Sequence, residues 1–384
     1  MKSSSLRTVL RGAAVRHFCL LMGCTALGGA APAWAIDLIN NGTDRLELHA
    51  QGIFASNDKV YIQGRHTGSI GHRINMIYGR KLNDDWTLGM RQEWAYDPFY
   101  YDGSNAHTKR FQYVFLKSAR WGQLNVGQQK SLTFDMVGSI TDWYLGYGTK
   151  GQGTFNGYGG NQLLGFSRPK RTVYYRVKRG AFELGVMAGG STGPVHNSVS
   201  SASVGSSTFL DSTRDGLYQV GTIWHPSSKW SLRLAYGHTD MTERGVNAQG
   251  DITTRHPDAE GWLSGITYTS HPWYHALVYG QYRNLNASAA GASGYQKATA
   301  LESYSSYSFP EMGELGFFKA YGGINLLSDK TSAGQSGYSV AGFALITLHD
   351  HLAIGLERKF DMAKNKAGQA TGEDEYELVA KYYF

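Results

Sequence analysis

Cysteine is nearly absent from this 384-residue chain, and both copies, Cys19 and Cys24, fall within its first 35 residues. Those residues read as an export leader. Lys2, Arg7, Arg11 and Arg16 precede an apolar stretch from Phe18 to Ala30 and a small-residue site, Ala33-Trp34-Ala35, so cleavage is expected after Ala35. A lipoprotein-type cut at Leu21-Met22-Gly23-Cys24 is the rival reading, but it leaves too few apolar residues ahead of it for a signal core. With the leader removed, residues 36–384 hold no thiol, which excludes disulfide and thiolate chemistry.

Long apolar runs are missing as well. No stretch beyond the leader approaches the roughly 20 residues that a membrane-spanning helix needs. An excess of one charge is also lacking, since removing four leader cations from 37 Lys and Arg leaves 33 against 30 Asp and Glu. The basic pI therefore belongs largely to the leader, and nucleic acid is not an expected partner. Proline is scarce, at 8 residues, while 25 Tyr, 9 Trp, 16 Phe and 49 Gly are abundant. The apolar residues come singly and in alternation, which is the pattern of a transmembrane β-barrel with lipid outside and water inside.

The strands can be read directly. Leu46, Leu48, Ala50 and Phe54 share one face, and Glu47, His49 and Gln51 the other. Trp86, Leu88, Met90, Trp94 and Tyr96 alternate with Thr87, Gly89, Arg91, Glu93 and Ala95. Trp230, Leu232, Leu234 and Tyr236 alternate with Ser231, Arg233, Ala235 and Gly237. Tight polar turns fall at Asn83-Asp84-Asp85, Ser118 to Trp121, Lys178-Arg179-Gly180, Pro226 to Lys229, His271-Pro272, Pro310 to Glu314 and His349-Asp350. Longer polar loops fall near 55–71, 97–108, 129–167, 190–215, 240–259, 285–297, 328–336 and 361–373. Seven turns and eight loops make fifteen connections and hence sixteen strands, with both ends of the barrel on the short-turn side. The last strand, Tyr376 to Phe384, is expected to pair with the first, because an open edge in lipid leaves backbone groups without partners. A barrel this wide keeps an aqueous lumen. The 129–167 loop is far longer than an ordinary connection and is expected to fold inward and set the bore.

On these residues the chain resembles the Gram-negative general porins. Asp37-Leu38-Ile39 to Gly42 and Leu46 to Gln51 look like that family's first strand. Arg110 to Lys117 and Trp121 to Gln128 resemble its fourth and fifth strands, Thr133 to Gly138 with Thr141-Asp142 the start of its constriction loop, and Phe384 its terminal assembly signal. The resemblance implies an all-β fold: a transmembrane 16-stranded antiparallel β-barrel with short periplasmic turns, long external loops and an inward constriction loop. It implies one barrel domain at 36–384, a homotrimer, and contact with outer-membrane lipids and lipopolysaccharide. The implied activity is passive diffusion of small hydrophilic solutes and ions, without cofactor or catalysis.

It also implies a constriction in which Arg73, Arg110 and Arg168, all expected on strands, face Asp142 on the loop, with Gln51 where a basic residue is common. Gln128 replaces another Arg, Gly146 stands where a Glu is expected, and Trp143-Tyr144-Leu145-Gly146-Tyr147-Gly148-Thr149-Lys150 replaces the usual acidic segment. Fewer loop acids and an added Lys150 predict a weakly selective or anion-leaning pore. Arg91, Glu93, Asp135, Trp143, Tyr144, Lys150, Lys170 and Arg171 are further candidate lining residues, and Arg176 lies near the same wall.

Each candidate has a plainer reading. The arginines could pair with acids such as Glu93 for stability. Trp143, Tyr144, Tyr147, Phe155 and Tyr158 could form a slide for sugar rings, as in a chitoporin-like oligosaccharide channel, or simply pack the loop against the wall. Gly151, Gly153, Gly157, Gly159 and Gly160 lack the strand, helix and Gly-Lys-Ser context of a phosphate cradle. His349-Asp350-His351 is metal-capable, but a tight turn splays its side chains. No His, Ser and Asp spacing implies the triad of a barrel-borne hydrolase.

Overall fold

The computed structural model describes residues 36–57, 69–96, 107–148, 165–193, 195–196, 208–246, 249–285, 295–329, 334–347 and 351–383. Nineteen strand segments make one sheet that closes on itself. Three of them are short pieces, at 36–40, 195–196 and 252–255. The other sixteen are the barrel strands: β1 Asp44–Asn57, β2 Ser69–Lys81, β3 Trp86–Tyr96, β4 His107–Ser118, β5 Gly122–Gln128, β6 Thr172–Arg179, β7 Phe182–Gly189 and β8 Thr208–Trp224, followed by β9 Trp230–Val246, β10 Asp258–Ser270, β11 Trp273–Leu285, β12 Tyr295–Ser308, β13 Phe317–Asp329, β14 Gly334–Ile346, β15 Leu352–Asp361 and β16 Glu375–Tyr383. Every barrel pairing is antiparallel between neighbours in sequence, and β16 closes on β1 with Tyr383 opposite Gln51 and Glu377 opposite Asn57.

The seam is closed by both ends of the chain. β16 covers β1 from Gln51 upward, and the piece Ile36–Asn40 continues the same position below it, with Ile36 opposite Leu48 and Asn40 opposite Arg45. Together they pair this edge of β1 at Arg45–Leu48 and Gln51–Asn57, as a spanning sheet that must not expose backbone groups to lipid requires. The short turns carry side-chain caps of the expected kind. Asn83 Oδ1 accepts from the Asp85 and Trp86 amides at 3.0 and 2.9 Å. Ser118 Oγ accepts from the Arg120 and Trp121 amides at 3.1 and 3.0 Å.

Alternation sets the two faces. Leu88, Val114, Val126, Leu184, Val220, Leu234, Phe343, Ile354 and Leu378 are exposed on the outer wall, as a lipid-facing band demands. The buried apolar core lies inside the barrel, on β6 to β14, where Tyr174, Met187, Ile223, Ala235, Leu263, Val278 and Tyr304 meet the inward loop. β5 to β7 are short, 7 or 8 residues, while β8 and β9 have 17 each, and beyond the end of β7 the piece 195–196 continues the pairing on β8.

Candidate pore constriction

The chain leaves β5 at Gln128 and turns into the barrel. Ser131 caps a one-turn helix, α1 Leu132–Met136, by accepting from the Phe134 amide at 3.1 Å, and a 3-10 turn at Gly138–Ile140 follows. Leu132, Met136, Val137 and Ile140 are buried against the wall. Three wall glycines make the room. A Cβ on Gly185 would stand 2.5 Å from Met136 Sδ, one on Gly221 2.8 Å from Leu132 Cδ2, and one on Gly265 2.8 Å from Ile140 Cδ1. Gln219, wholly buried, accepts from the Leu132 and Thr133 amides at 2.8 and 3.3 Å and donates to Gly165 O at 2.7 Å, so one amide ties the outgoing and returning limbs of the loop. Asp135 is held by Arg176 at 2.8 Å and Tyr174 at 3.0 Å. Its expected place as a lining group is thus a structural one: it fastens the loop root to β6.

The loop tip reaches the opposite wall. Thr141 donates to Glu302 at 2.8 Å, and Tyr144 donates to Ser303 O at 2.7 Å. Three consecutive backbone amides, of Leu145, Gly146 and Tyr147, then donate to the Glu357 carboxylate at 2.6, 2.9 and 3.0 Å, and Tyr321 adds a fourth donor at 2.8 Å. Glu357 is fully buried. A buried carboxylate needs such donors to offset its lost hydration. Gly146 permits this approach, because a Cβ there would stand 1.8 Å from Glu377 Oε2. The departure at Gly146 thus has a steric reason: the acid comes from the wall, and the loop must have no side chain where it meets it.

The loop aromatics face the wall. Tyr144 is buried against Tyr304 and Tyr321, with ring centroids at 5.1 and 6.2 Å. Trp143 meets Tyr274 edge-on at 6.1 Å, and Tyr147 meets Tyr338 at 5.7 Å. Tyr144 therefore does not line the lumen, and Trp143 is half-buried between loop and wall. The packing reading holds for these residues, and the sugar-slide reading is not favoured. Lys150, Phe155, Tyr158, the glycines from Gly151 to Gly160, and His349-Asp350 lie outside the described residues.

Cations gather on the wall formed by β1 to β5. Arg73 donates to Gln51 at 3.4 Å, and their Cα atoms are paired across β1 and β2. Arg110 reaches Glu93 at 2.5 Å, and Arg91 reaches the same carboxylate at 3.2 Å and Asn75 at 3.0 Å. Simple alternation from lipid-facing Val114 would send Arg110 outward. A β-bulge between Glu93 and Trp94 adds one residue to β4, so that Arg110 and Phe111 both turn to the lumen, where Arg91 sits 4.7 Å over the Phe111 ring. Arg168 was expected on a strand, but β6 starts only at Thr172. Pro169 cannot donate to a ladder and Arg171 takes φ of 53°, so the return limb is irregular. Arg168 still joins the group: burial and the charges of Arg110 and Arg73 depress it to about 10, leaving it cationic at neutral pH. Lys170 and Arg171 are exposed on the outer rim, where the Arg171 guanidinium binds Ser191 O at 2.8 Å, so neither belongs to this group.

Asp142 is exposed on the loop and lies within the fields of Lys381, Lys130, Arg73 and Arg110. A long loop thus crosses a water-accessible lumen with one carboxylate turned to a cationic wall. A family model for the Gram-negative porin matches residues 54–343. The chain belongs to the Gram-negative porins. It is an outer-membrane channel for passive diffusion of small hydrophilic solutes, and porins are channels and not enzymes.

No curated protein sequence matches this porin. Among solved structures it is similar to OmpF of Salmonella typhi in complex with daunomycin, at TM-score 0.67 and 16% identity over 91% of this chain and 100% of that one. It is similar to the trimer form of OmpT of Vibrio cholerae, at TM-score 0.57 and 13% identity over 89% of this chain and 100% of that one. It is also similar to the outer-membrane channel DcaP of Acinetobacter baumannii, at 0.56 and 14% over 91% and 99%. At these identities the likeness concerns the fold.

Sequence reasoning placed Arg73, Arg110, Gln51, Glu93 and Asp142 together but overlooked Lys130, Lys381, Glu302, Glu357 and Glu377. A signal for the last two was present. Leu356 and Leu378 are exposed outward, so Glu357 and Glu377 must point inward from strands that otherwise read as ordinary. Nothing in the sequence alone brings three loop amides to one of them.

Proposed function

We propose that the segment at 129–167 is the constriction loop and that solutes pass it between Asp142 and a cationic group made of Arg73, Arg110 and Lys381 on the wall and Lys130 and Arg168 on the two limbs of the loop, with Gln51, Arg91 and Glu93 beside them. The observation that carries this reading is that all five cations act on one another or on Asp142, while Glu357 and Glu302 are buried under the loop. Accessible charge at the eyelet is thus predominantly positive, and rings of Arg or Lys favour anions. The pore is weakly selective to anion-leaning, catalyses nothing, and works without cofactor. The chain is exported by a leader cleaved after Ala35, assembles as a homotrimer, and meets lipid and lipopolysaccharide on its outer wall. Trimerisation rests on the family resemblance and on the trimer form of the Vibrio cholerae structure. Reversal potential across a salt gradient in a planar bilayer tests the selectivity: a potential of anion-preferring sign is expected, and strong cation preference would overturn the reading.

A further inference from the structure

One cluster of ligating side chains lies on the outside of the barrel, away from the pore. His238 on β9 is opposite Glu260 on β10, and Glu260 is opposite Arg283 on β11. These positions share the outward face with exposed Tyr218, Leu234 and Leu277. Tyr218 is directly opposite His238, and Tyr236, Trp262 and Tyr279 lie lower on the same face; at the level of the cluster β10 begins at Asp258 and β11 ends at Leu285, while β8 and β9 continue beyond it with polar Thr242 and Arg244. The cluster therefore stands at the outer-leaflet headgroup level, beyond the hydrocarbon band.

The cluster has the parts of a metal site. One ligand atom from each of His238, Asp258 and Glu260 lies within 4.8 Å of the others. Donors around a tetrahedral ion at about 2.1 Å stand roughly 3.4 Å apart, so side-chain rotation closes the remaining gap. The histidine is already oriented. Its Nε2 donates to Asp240 Oδ1 at 3.0 Å, and its ring is stacked on Tyr218 at 4.9 Å. In the neutral imidazole this leaves a lone pair on Nδ1, which is buried, has no hydrogen-bond partner, and is 3.9 Å from Glu260 Oε2. A carboxylate on the far nitrogen is the usual device that fixes a ligating histidine. Glu260 is itself positioned by Tyr236 at 2.9 Å. Arg283 bridges Asp258 and Glu260, which leaves three carboxylates against one guanidinium, a local charge that one divalent ion cancels.

We propose that His238, Asp258 and Glu260 bind a divalent transition-metal ion of the zinc class on the outer wall, with Asp240 as the residue that orients His238 and Arg283 as the competing internal cation. One imidazole nitrogen and two carboxylate oxygens suit zinc better than calcium or magnesium, which take oxygen alone.

The test uses the full barrel in non-ionic detergent, stripped with a chelator, and titrated with Zn2+ by calorimetry and with Co2+ by visible absorption. One ion per chain is expected. His238→Ala should weaken binding at least about tenfold, and Asp240→Asn should weaken it within the 10- to 100-fold range typical of an orienting partner. Arg283→Gln should strengthen binding, since it removes the competing charge. His275→Ala, an outward histidine at the opposite end of the wall, should change nothing. Unchanged single-channel conductance certifies that each variant is folded, and Asp258→Asn substitutes for any that is not. The proposal is overturned by an absence of heat and of a Co2+ spectrum up to millimolar metal, by His238→Ala binding as tightly as the native chain, or by Arg283→Gln weakening binding.

Discussion

The root and the far reach of the inward loop both pack on the wall, but their polar ties are arranged differently. At its root, Leu132, Met136, Val137 and Ile140 sink into a wall cleared by Gly185, Gly221 and Gly265, and polar ties from Gln219, Arg176 and Arg233 are spread along the same buried surface. At its tip, beside the ring packing of Tyr144 on Tyr304 and Tyr321, hydrogen bonding centres on one buried carboxylate, Glu357, that gathers three backbone amides and a tyrosine hydroxyl. Apolar packing is spread over many atoms and degrades gradually when one is removed. A polar grip centred on a single acceptor fails as a unit, because each abandoned buried donor carries its own penalty. If the segment is the constriction proposed above, the root governs whether the loop docks inside the barrel and the tip governs how wide the passage is.

Removing the grip is the most severe way to break this contrast. In Glu357→Ala, four donors lose their acceptor, at about 1–3 kcal/mol for each that stays buried. The tip should leave the wall, raising unitary conductance and open-channel noise in bilayer recordings, and a quiet channel of native conductance would sink the distinction between root and tip. Leu132→Ala should cost about 3 kcal/mol in urea-induced unfolding followed by tryptophan fluorescence, the usual range for a buried leucine, while conductance stays near the native value. A widened pore in this variant would mean that the root, too, sets the bore.

Smaller effects sharpen the picture. Gly146→Ala places a methyl group against Glu377 and should raise channel noise modestly, and Gly146→Ala combined with Glu377→Ala should return the noise toward native. Failure of that rescue would show that backbone freedom at residue 146, not contact with Glu377, matters there. Asp142→Asn removes the exposed loop acid without touching either anchor. Its expected effect is the least: a shift of reversal potential toward anions at nearly constant conductance.

Much of the fold was legible because a spanning sheet in lipid has little freedom. Its outer positions must be apolar, its connections polar, and its first strand must find its last, so alternation in stretches such as Trp230 to Gly237 and turns such as Asn83-Asp84-Asp85 disclose strand count and register. The site was legible only in part. Arg73 and Gln51 follow strand parity, but Arg110 faces the lumen through a bulge that shifts parity by one residue, and Arg168 sits on an irregular limb before Thr172. In the sequence Tyr144 is open to a lumen or a packing reading and Asp135 is expected to line the pore; ring packing at Tyr144 and the Arg176 and Tyr174 contacts at Asp135 make both of them anchors.

What the sequence determined by itself is what repeats locally every two residues: an all-β chain, sixteen spans, an apolar outside and a polar inside. What only the tertiary structure decided is which residues far apart in the chain share a site, such as Leu145, Gly146 and Tyr147 with Glu357, or Asp142 with Arg73 and Lys381. The physical reason is that alternation is enforced at every residue by the surrounding lipid and water. The loop's path is enforced at a few points, by a missing side chain at Gly146 and by hydrogen-bond partners more than 200 residues away along the chain.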